Sequence, residues 1–324
     1  YSSINSRSEI DMSSRLGSLR LSLPIVSSPM DTVTEADMAI AMHQSGGLGI
    51  VHRYNTISEQ AKIIHKAHSL SVQNIGAAVG VTGDYLDRAK AAFMAGANVI
   101  CVDIAHGHHT LMKNALKNLR SLFDKVDIHL MAGNVATLEA FNDVSDWGAD
   151  SIRVGVGGGS ICSTRIKTGH GVPTLQSILD CAQSDRDSFL IADGGIKNSG
   201  DIVKCIAAGA DFVMVGSLLS GTEETPVEKF WDETRAIWVY PYRGMASIET
   251  QIDWRGHVSS IEGVSSAVPD KGSVKDVMLD LERGLRSGMS YSGALTIKDF
   301  QSKSKFIVQT SSAQIESTPH INRG

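Results

Sequence analysis

The chain has 324 residues, 42% of them hydrophobic and 20% charged, with 30 Lys and Arg against 35 Asp and Glu for a formal charge of −5. That composition supports a sizeable core, and the mildly acidic balance, with no Lys/Arg block and no aromatic–basic interleaving, argues against nucleic acid as a partner while leaving room for local capture of a small phosphorylated molecule. Cys101, Cys162, Cys181 and Cys205 show no C-x-x-C spacing, which points to reduced thiols in a cytoplasmic protein and away from structural zinc. No apolar run approaches the roughly 18 residues of a membrane span, and no signal peptide is visible. The sequence opens at Tyr1 rather than Met, so a short preceding segment is expected.

Short β-branched, apolar runs recur at 23–27, 47–51, 74–79, 99–103, 128–132, 151–155, 189–192 and 212–215. Near-continuous apolar strands of this kind are buried on both faces, as in parallel sheets. Helical patterns fall between them at 35–44, 58–67, 84–95, 110–123, 137–147, 174–183 and 199–208, three of them ending at Gly96, Gly148 or Gly209 just before the next strand. Eight strand–helix units predict a closed (β/α)8 TIM barrel, a fold of about 250 residues, rather than a doubly wound sheet. The whole chain, 1–324, then reads as one barrel domain. After the last strand, 222–232 is polar, 236–247 runs apolar into a turn, and 248–269 has neither helix nor strand period; a lid over about 243–269 is expected there. A helix over 275–287 opens a C-terminal segment, 273–324, that turns polar from 301 apart from 306–308.

In such a barrel the chemistry sits on loops at the carboxyl ends of the strands. The unusual residues fall there: Ser28-Pro29-Met30-Asp31, His52-Arg53, Asp103 to His108, Gly133-Asn134, Asp193-Gly194-Gly195 and Gly216-Ser217. The most distinctive loop follows the sixth strand. Gly155-Val156-Gly157-Gly158-Gly159 leads into Ser160-Ile161-Cys162-Ser163-Thr164-Arg165, so close backbone approach is combined with a thiol among hydroxyls. A loop of this type can present backbone N–H groups to a phosphate and hold a thiol beside whatever carries it. Arg165 and the loop dipoles are expected to favour the Cys162 thiolate. The other three cysteines lie within strand or helix patterns and read as buried.

Several stretches resemble the inosine-monophosphate dehydrogenase and guanosine-monophosphate reductase family: Ser28-Pro29-Met30-Asp31-Thr32-Val33, Ala132-Gly133-Asn134-Val135, the cysteine loop, Ala192-Asp193-Gly194-Gly195-Ile196, Tyr242 to Ser247, Glu262-Gly263 and Gly284 to Gly288. The resemblance spans nearly the whole chain and implies a purine mononucleotide, GMP or IMP, as substrate. Ser160, Gly195, Gly216, Ser217 and Tyr242 would hold its phosphate and Asp193 its ribose. Met30 and Met245 would lie along the base, with Ser28 and Gly244 completing the set and Glu262 on the Watson–Crick edge. For Asp193 a plain turn role, and for Met30 a core-filling role, stand as the alternatives. Cys162 would attack C2 of the purine, giving a thioimidate.

Two reactions share that intermediate: reductive deamination of GMP to IMP with NADPH, and oxidation of IMP to XMP with NAD and water. The dehydrogenases hydrolyse the adduct with an Arg-Tyr pair on a mobile flap, and here 248–261 is short and holds Asp253-Trp254-Arg255 instead. Lys167-Thr168-Gly169 also looks reductase-like, and the tandem-repeat regulatory domain that usually interrupts dehydrogenases after the second strand has no counterpart. Arg153, Ala105-His106-Gly107-His108 and Tyr242-Arg243-Gly244 read more like dehydrogenases. The balance favours the reductase, with a dehydrogenase lacking the regulatory domain as the alternative and a non-catalytic nucleotide-binding barrel behind both. As a reductase, Thr164 and Glu262 would be the proton-transfer pair, Asp103 and Ser247 would contact the nicotinamide cofactor, and Arg255 its phosphates. The resemblance further implies K+ bound by carbonyls of Gly155, Gly157 and Cys162 with a neighbour's Glu316-Ser317-Thr318, and hence a homotetramer. Gly158 departs from the proline of many relatives.

Overall fold

The structure, a computed structural model, describes residues 1–317. Eight parallel strands close into a barrel: β1 (Ile25–Ser27), β2 (Leu48–Val51), β3 (Ile75–Val79), β4 (Val99–Asp103), β5 (His129–Val135), β6 (Ser151–Val154), β7 (Phe189–Asp193) and β8 (Phe212–Val215), each paired with its sequence neighbour and β8 with β1. The TIM barrel expected from the eight apolar runs is therefore the fold.

The two-residue period of each strand sorts its side chains. Val26, Ile50, Ala78, Cys101, Met131, Ile191, Phe212 and Met214 point inward and form the apolar barrel core. Ile25, Val51, Ile75, Val102, Leu130 and Val213 point outward and pack under the helices. An N-terminal hairpin, Ser14–Leu16 with Leu19–Leu21, caps the bottom of the barrel by inserting Leu16 and Leu21 into that core. Its turn needs Gly17, at φ 64°.

The outer ring comprises α1 (Ala36–Gln44), α2 (Ile57–Ser69), α3 (Tyr85–Met94), α4 (Thr110–Leu122), α5 (Leu138–Asp146), α7 (Thr174–Cys181) and α8 (Ser199–Ala207), while the short α6 (Thr164–Thr168) lies in the loop between β6 and α7. α6, immediately after the cysteine, is too short to leave a periodic signal. β2 runs into α2 through residues 52–56 alone.

Beyond the barrel the structure is more regular than the sequence pattern indicates. The polar stretch 222–232 ends in β9 (Phe230–Asp232), which pairs with β10 (Ile237–Arg243). The aperiodic stretch 248–269 contains α9 (Ile248–Arg255) and β11 (Ser265–Pro269), the latter pairing with β10. Both were invisible to periodicity because α9 exposes Ile248 and Ile252 while burying Thr250 and Gln251, and β11 has no buried residue. Local chemistry nevertheless bounds α9: Ser247 caps its start and Gly256, at φ 72°, ends it. α10 (Val274–Tyr291) packs on α8 and α1 and closes the ring, followed by α11 (Ile297–Lys303) and, within the stretch that reads as polar from 301, by α12 (Ser311–Glu316). Among the described residues no helix is long and apolar enough to cross a membrane.

Candidate active site

The glycine loop leaves β6 in a conformation that only glycine tolerates. Gly155 has φ 147°, and a Cβ there would lie 1.9 Å from the Asp193 carbonyl oxygen. At Gly158 a Cβ would come within 2.4 Å of Thr174 Oγ1, so that side chain fills the space a larger residue would need. The loop is then stitched to the returning end of the lid. Ser163 N donates to the Glu262 carbonyl at 2.8 Å, Val264 N donates to the Ile161 carbonyl at 3.0 Å, and Cys162 and Gly263 form an antiparallel bridge.

That stitching aligns three side chains. The Cys162 thiol donates to Thr164 Oγ1 at 3.2 Å, and the Thr164 hydroxyl donates to Glu262 Oε2 at 2.8 Å, across 98 residues of sequence. The three line a cavity of about 310 Å³ at the barrel mouth together with Ser28, Met30, Ser160, Asp193, Gly195, Gly216, Ser217, Tyr242, Gly244 and Met245. Every residue assigned from the sequence to substrate or to proton transfer is thus brought to one cavity. Cys162 is exposed, whereas Cys101, Cys181 and Cys205 are buried and burial pushes their thiols up to about 12.

The cavity narrows at Gly216, where a Cβ would meet Met30 Sδ at 3.1 Å and Ser28 Oγ and Tyr242 Oη at 3.3 Å. Burial pushes the Tyr242 phenol up, with a Ser160 hydrogen bond opposing, so it remains a neutral donor. The Gly216→Ala variant is expected to raise KM for a phosphorylated nucleotide about 10-fold with little change in kcat, because overpacking here crowds a binding wall and not the thiol. Steady-state titration of the nucleotide checks it.

A buried charge network underlies the cavity. Arg153, on β6 and 3% exposed, forms a short ion pair with Asp103 on β4 and lies 3.5 Å from Asp193 on β7. Burial raises the Asp103 carboxyl, but the Arg153 and Arg53 guanidiniums pull it below its ordinary value. For Asp193 burial prevails over Arg153 and over the Asn134 amide, which donates at 2.9 Å, and its carboxyl is raised. Asn134 had only its place on the rim and in a family motif to mark it, and no role.

Other expected contacts are placed differently. Asp103 does not line the main cavity, and its carboxylate is engaged with Arg153 and with Arg53 at 4.0 Å. Ser247, expected at the cofactor, is fully buried, with its hydroxyl donating to Thr250 Oγ1 at 2.9 Å and capping α9. A helix start consumes that hydroxyl, which explains the discrepancy. Arg255 ends α9 with its guanidinium 4.7 Å from the Trp254 ring, and Trp254 stacks on Tyr54 at 4.3 Å. Arg165, expected to favour the thiolate, donates instead to the Val172 carbonyl at 2.6 Å, its stem threading past Gly157 and Gly171. Of the expected cation ligands, Gly155 and Gly157 lie in the loop, while Glu316 ends α12 and Ser317 folds back, donating to the Ala313 carbonyl at 2.8 Å. Thr318 lies outside the described residues.

Comparison with known proteins agrees with this geometry. A family described as "IMP dehydrogenase / GMP reductase domain" matches residues 1–320. The chain is 32% identical to an inosine-5'-monophosphate dehydrogenase of Nitrosopumilus maritimus, covering 99% of this chain and 95% of that protein. It is 42% identical to a GMP reductase of Leishmania major over 76% of this chain and 52% of that protein. A cysteine-to-alanine GMP reductase from Trypanosoma brucei, crystallised with guanosine 5'-monophosphate, superposes with a TM-score of 0.93 at 30% identity, covering 99% of this chain and 95% of that one. With a barrel whose mouth gathers an exposed cysteine, a threonine and a glutamate above a glycine-lined cradle, this chain belongs to the IMP dehydrogenase / GMP reductase family of purine nucleotide oxidoreductases.

Proposed function

We propose that the protein is a GMP reductase, converting GMP to IMP and ammonia with NADPH. The observation that carries this reading is the relay from the Cys162 thiol through Thr164 Oγ1, at 3.2 Å, to Glu262 Oε2, at 2.8 Å. Deamination needs a proton delivered to a departing amine, and the relay holds one. The Cys162 proton passes through Thr164 to Glu262 as the sulfur bonds to C2. The same proton returns through Thr164 to the exocyclic nitrogen as the C2–N bond breaks and ammonia leaves. The cofactor, when bound, supplies hydride chemistry at C2. The C–S bond then breaks with its electron pair on sulfur, IMP departs, and the Cys162 thiolate takes a proton from solvent to restore the one that left with ammonia.

Binding follows from the cavity. The Ser160, Gly195, Gly216, Ser217 and Tyr242 region suits the phosphate, Asp193 accepts from ribose hydroxyls, and Met30 and Met245 flank the base. Asp103 and Arg255 are the residues that would hold NADPH, through its amide and its phosphates; the partly open Asp103 carboxylate and the exposed Arg255 fit that role, whereas buried Ser247 does not. K+, implied by the family resemblance, would rest on the carbonyls of Gly155, Gly157 and Cys162. The Gly155 carbonyl already accepts from Asn134 at 2.8 Å and would share its second lone pair. A homotetramer that brings Glu316 and Ser317 of one copy to this loop in another belongs to the same reading.

The alternative is an IMP dehydrogenase. Arg153 and the several relatives of that name, such as one from Aquifex aeolicus at 46% identity over 76% of this chain, favour it. Arg255 would then have to activate water, although its guanidinium lies over Trp254. Purified protein given GMP with NADPH, and separately IMP with NAD, separates the two. Absorbance at the reduced-cofactor band is expected to fall in the first mixture and stay flat in the second; a rise in the second alone overturns the reductase.

A further inference from the structure

α9 inverts the usual rule for a surface helix. It exposes Ile248 and Ile252 at 42% and 50% and buries Thr250 and Gln251 at 1% and 4%. A glutamine is rarely buried this completely unless its amide is fully used. Here it is. Gln251 Nε2 donates to the Ala246 carbonyl at 3.1 Å and the Ser260 carbonyl at 2.7 Å, while Oε1 accepts from Ser259 N and Ser259 Oγ, both at 3.0 Å. One side chain therefore ties the start of the lid to the segment that returns toward Glu262. The Glu262 amide adds a bond to the same Ala246 carbonyl at 3.3 Å.

We propose that Gln251 is a positioning residue for Glu262: its amide fixes residues 259–260 and thereby holds the Glu262 carboxylate against Thr164. The proposal rests on the relay role given to Glu262 above. The phosphate cradle lies mainly on the barrel loops at Ser160, Gly195, Gly216 and Ser217, so loss of the tether disturbs proton transfer and leaves nucleotide affinity nearly unchanged. Displacing a reacting group by about 1 Å can cost on the order of 100-fold in rate, and the Gln251→Met variant, similar in length but without hydrogen bonds, is expected to lose kcat on that scale. The Gln251→Glu variant sets a carboxylate oxygen against two carbonyls and is expected to lose more.

The test is a double-mutant cycle with Glu262→Gln, read alongside hydrogen exchange. A residue acting through Glu262 has nothing left to position once that carboxylate is gone. The Gln251→Met change should then cost kcat in the wild-type background, cost almost nothing further in Glu262→Gln, and leave KM for the nucleotide within about two-fold in both. Amide exchange at Ser259 and Glu262 should accelerate at least about 10-fold in Gln251→Met, with the barrel strands unchanged. Additive kcat losses, or unchanged exchange at 259–262, would overturn the proposal. If exchange accelerates while wild-type protein shows no GMP reduction, the tether stands and the reductase reading fails.

Discussion

The Cys162→Ala protein is expected to lose turnover by at least about 10⁴-fold while still binding GMP or IMP, because removal of a covalent nucleophile eliminates the reaction path and not the binding surface. The structure separates the two functions. Cys162 is an exposed thiol on the wall of the cavity, and of the residues proposed to hold phosphate and ribose only Ser160 shares its turn, whereas Gly195, Gly216 and Asp193 sit on other barrel loops. The loop itself is fixed by backbone bonds from Ser163 to Glu262 and from Val264 to Ile161, so a missing sulfur leaves its path intact. Calorimetric titration of nucleotide against the variant should give a Kd within a few-fold of wild type, and the more conservative Cys162→Ser should be nearly as inactive, since a neutral hydroxyl is a far weaker nucleophile than a thiolate. A variant that retained near-normal turnover would remove the covalent mechanism.

The Arg153→Met substitution is expected to have the largest effect on stability, about 3–5 kcal/mol, because it leaves the Asp103 and Asp193 carboxylates inside the barrel without their shared counter-charge. Methionine matches the length of the arginine stem, so the loss is electrostatic rather than a cavity. Its pH dependence identifies it. In the wild-type protein the Asp103 carboxyl is held below its ordinary value by the two arginines despite burial, so its contribution is present above the ordinary carboxylate range and is lost as pH falls through it. Asp193 is raised by burial and acts oppositely, opposing folding at neutral pH and relaxing as it protonates. Without Arg153 both carboxyls move up, both resist folding at pH 7, and both are relieved by acid. The deficit in urea midpoint relative to wild type should therefore be largest at pH 7–8 and shrink toward pH 5. A deficit independent of pH would mean that Arg153 matters only for packing.

How much of this could be read from the sequence follows from which signals are local. The barrel strands were legible because both faces are buried, so residues such as Leu48-Gly49-Ile50-Val51 form apolar runs that need no partner to recognise. The glycine loops at the barrel mouth were legible because their backbone demands are written in the residue type, Gly155, Gly157, Gly194 and Gly195 all taking positive φ, whereas Met30, Tyr242 and Glu262 rest on the family resemblance. The lid was not. α9 buries a threonine and a glutamine and exposes two isoleucines, so its pattern contradicts its environment. Periodicity therefore does not single out Gln251, and the resemblance points Ser247 to a cofactor where the structure has it capping a helix. Arg165 shows the same limit: its place beside Cys162 in sequence gave no hint that Gly157 and Gly171 let it turn to Val172. Tertiary partners decide polar side chains, and a single sequence does not name them.

The covalent mechanism turns on where one sulfur stands relative to a purine ring, and a crystal structure of the wild-type protein soaked with GMP measures it directly. The expected result is Cys162 Sγ about 3–3.5 Å from C2, in a near-attack geometry, with the phosphate among Ser160, Gly195, Gly216 and Ser217 and the exocyclic amine facing Thr164 and Glu262. A nucleotide bound with its C2 edge turned away from Cys162, or a base lodged outside this cavity, would contradict the account.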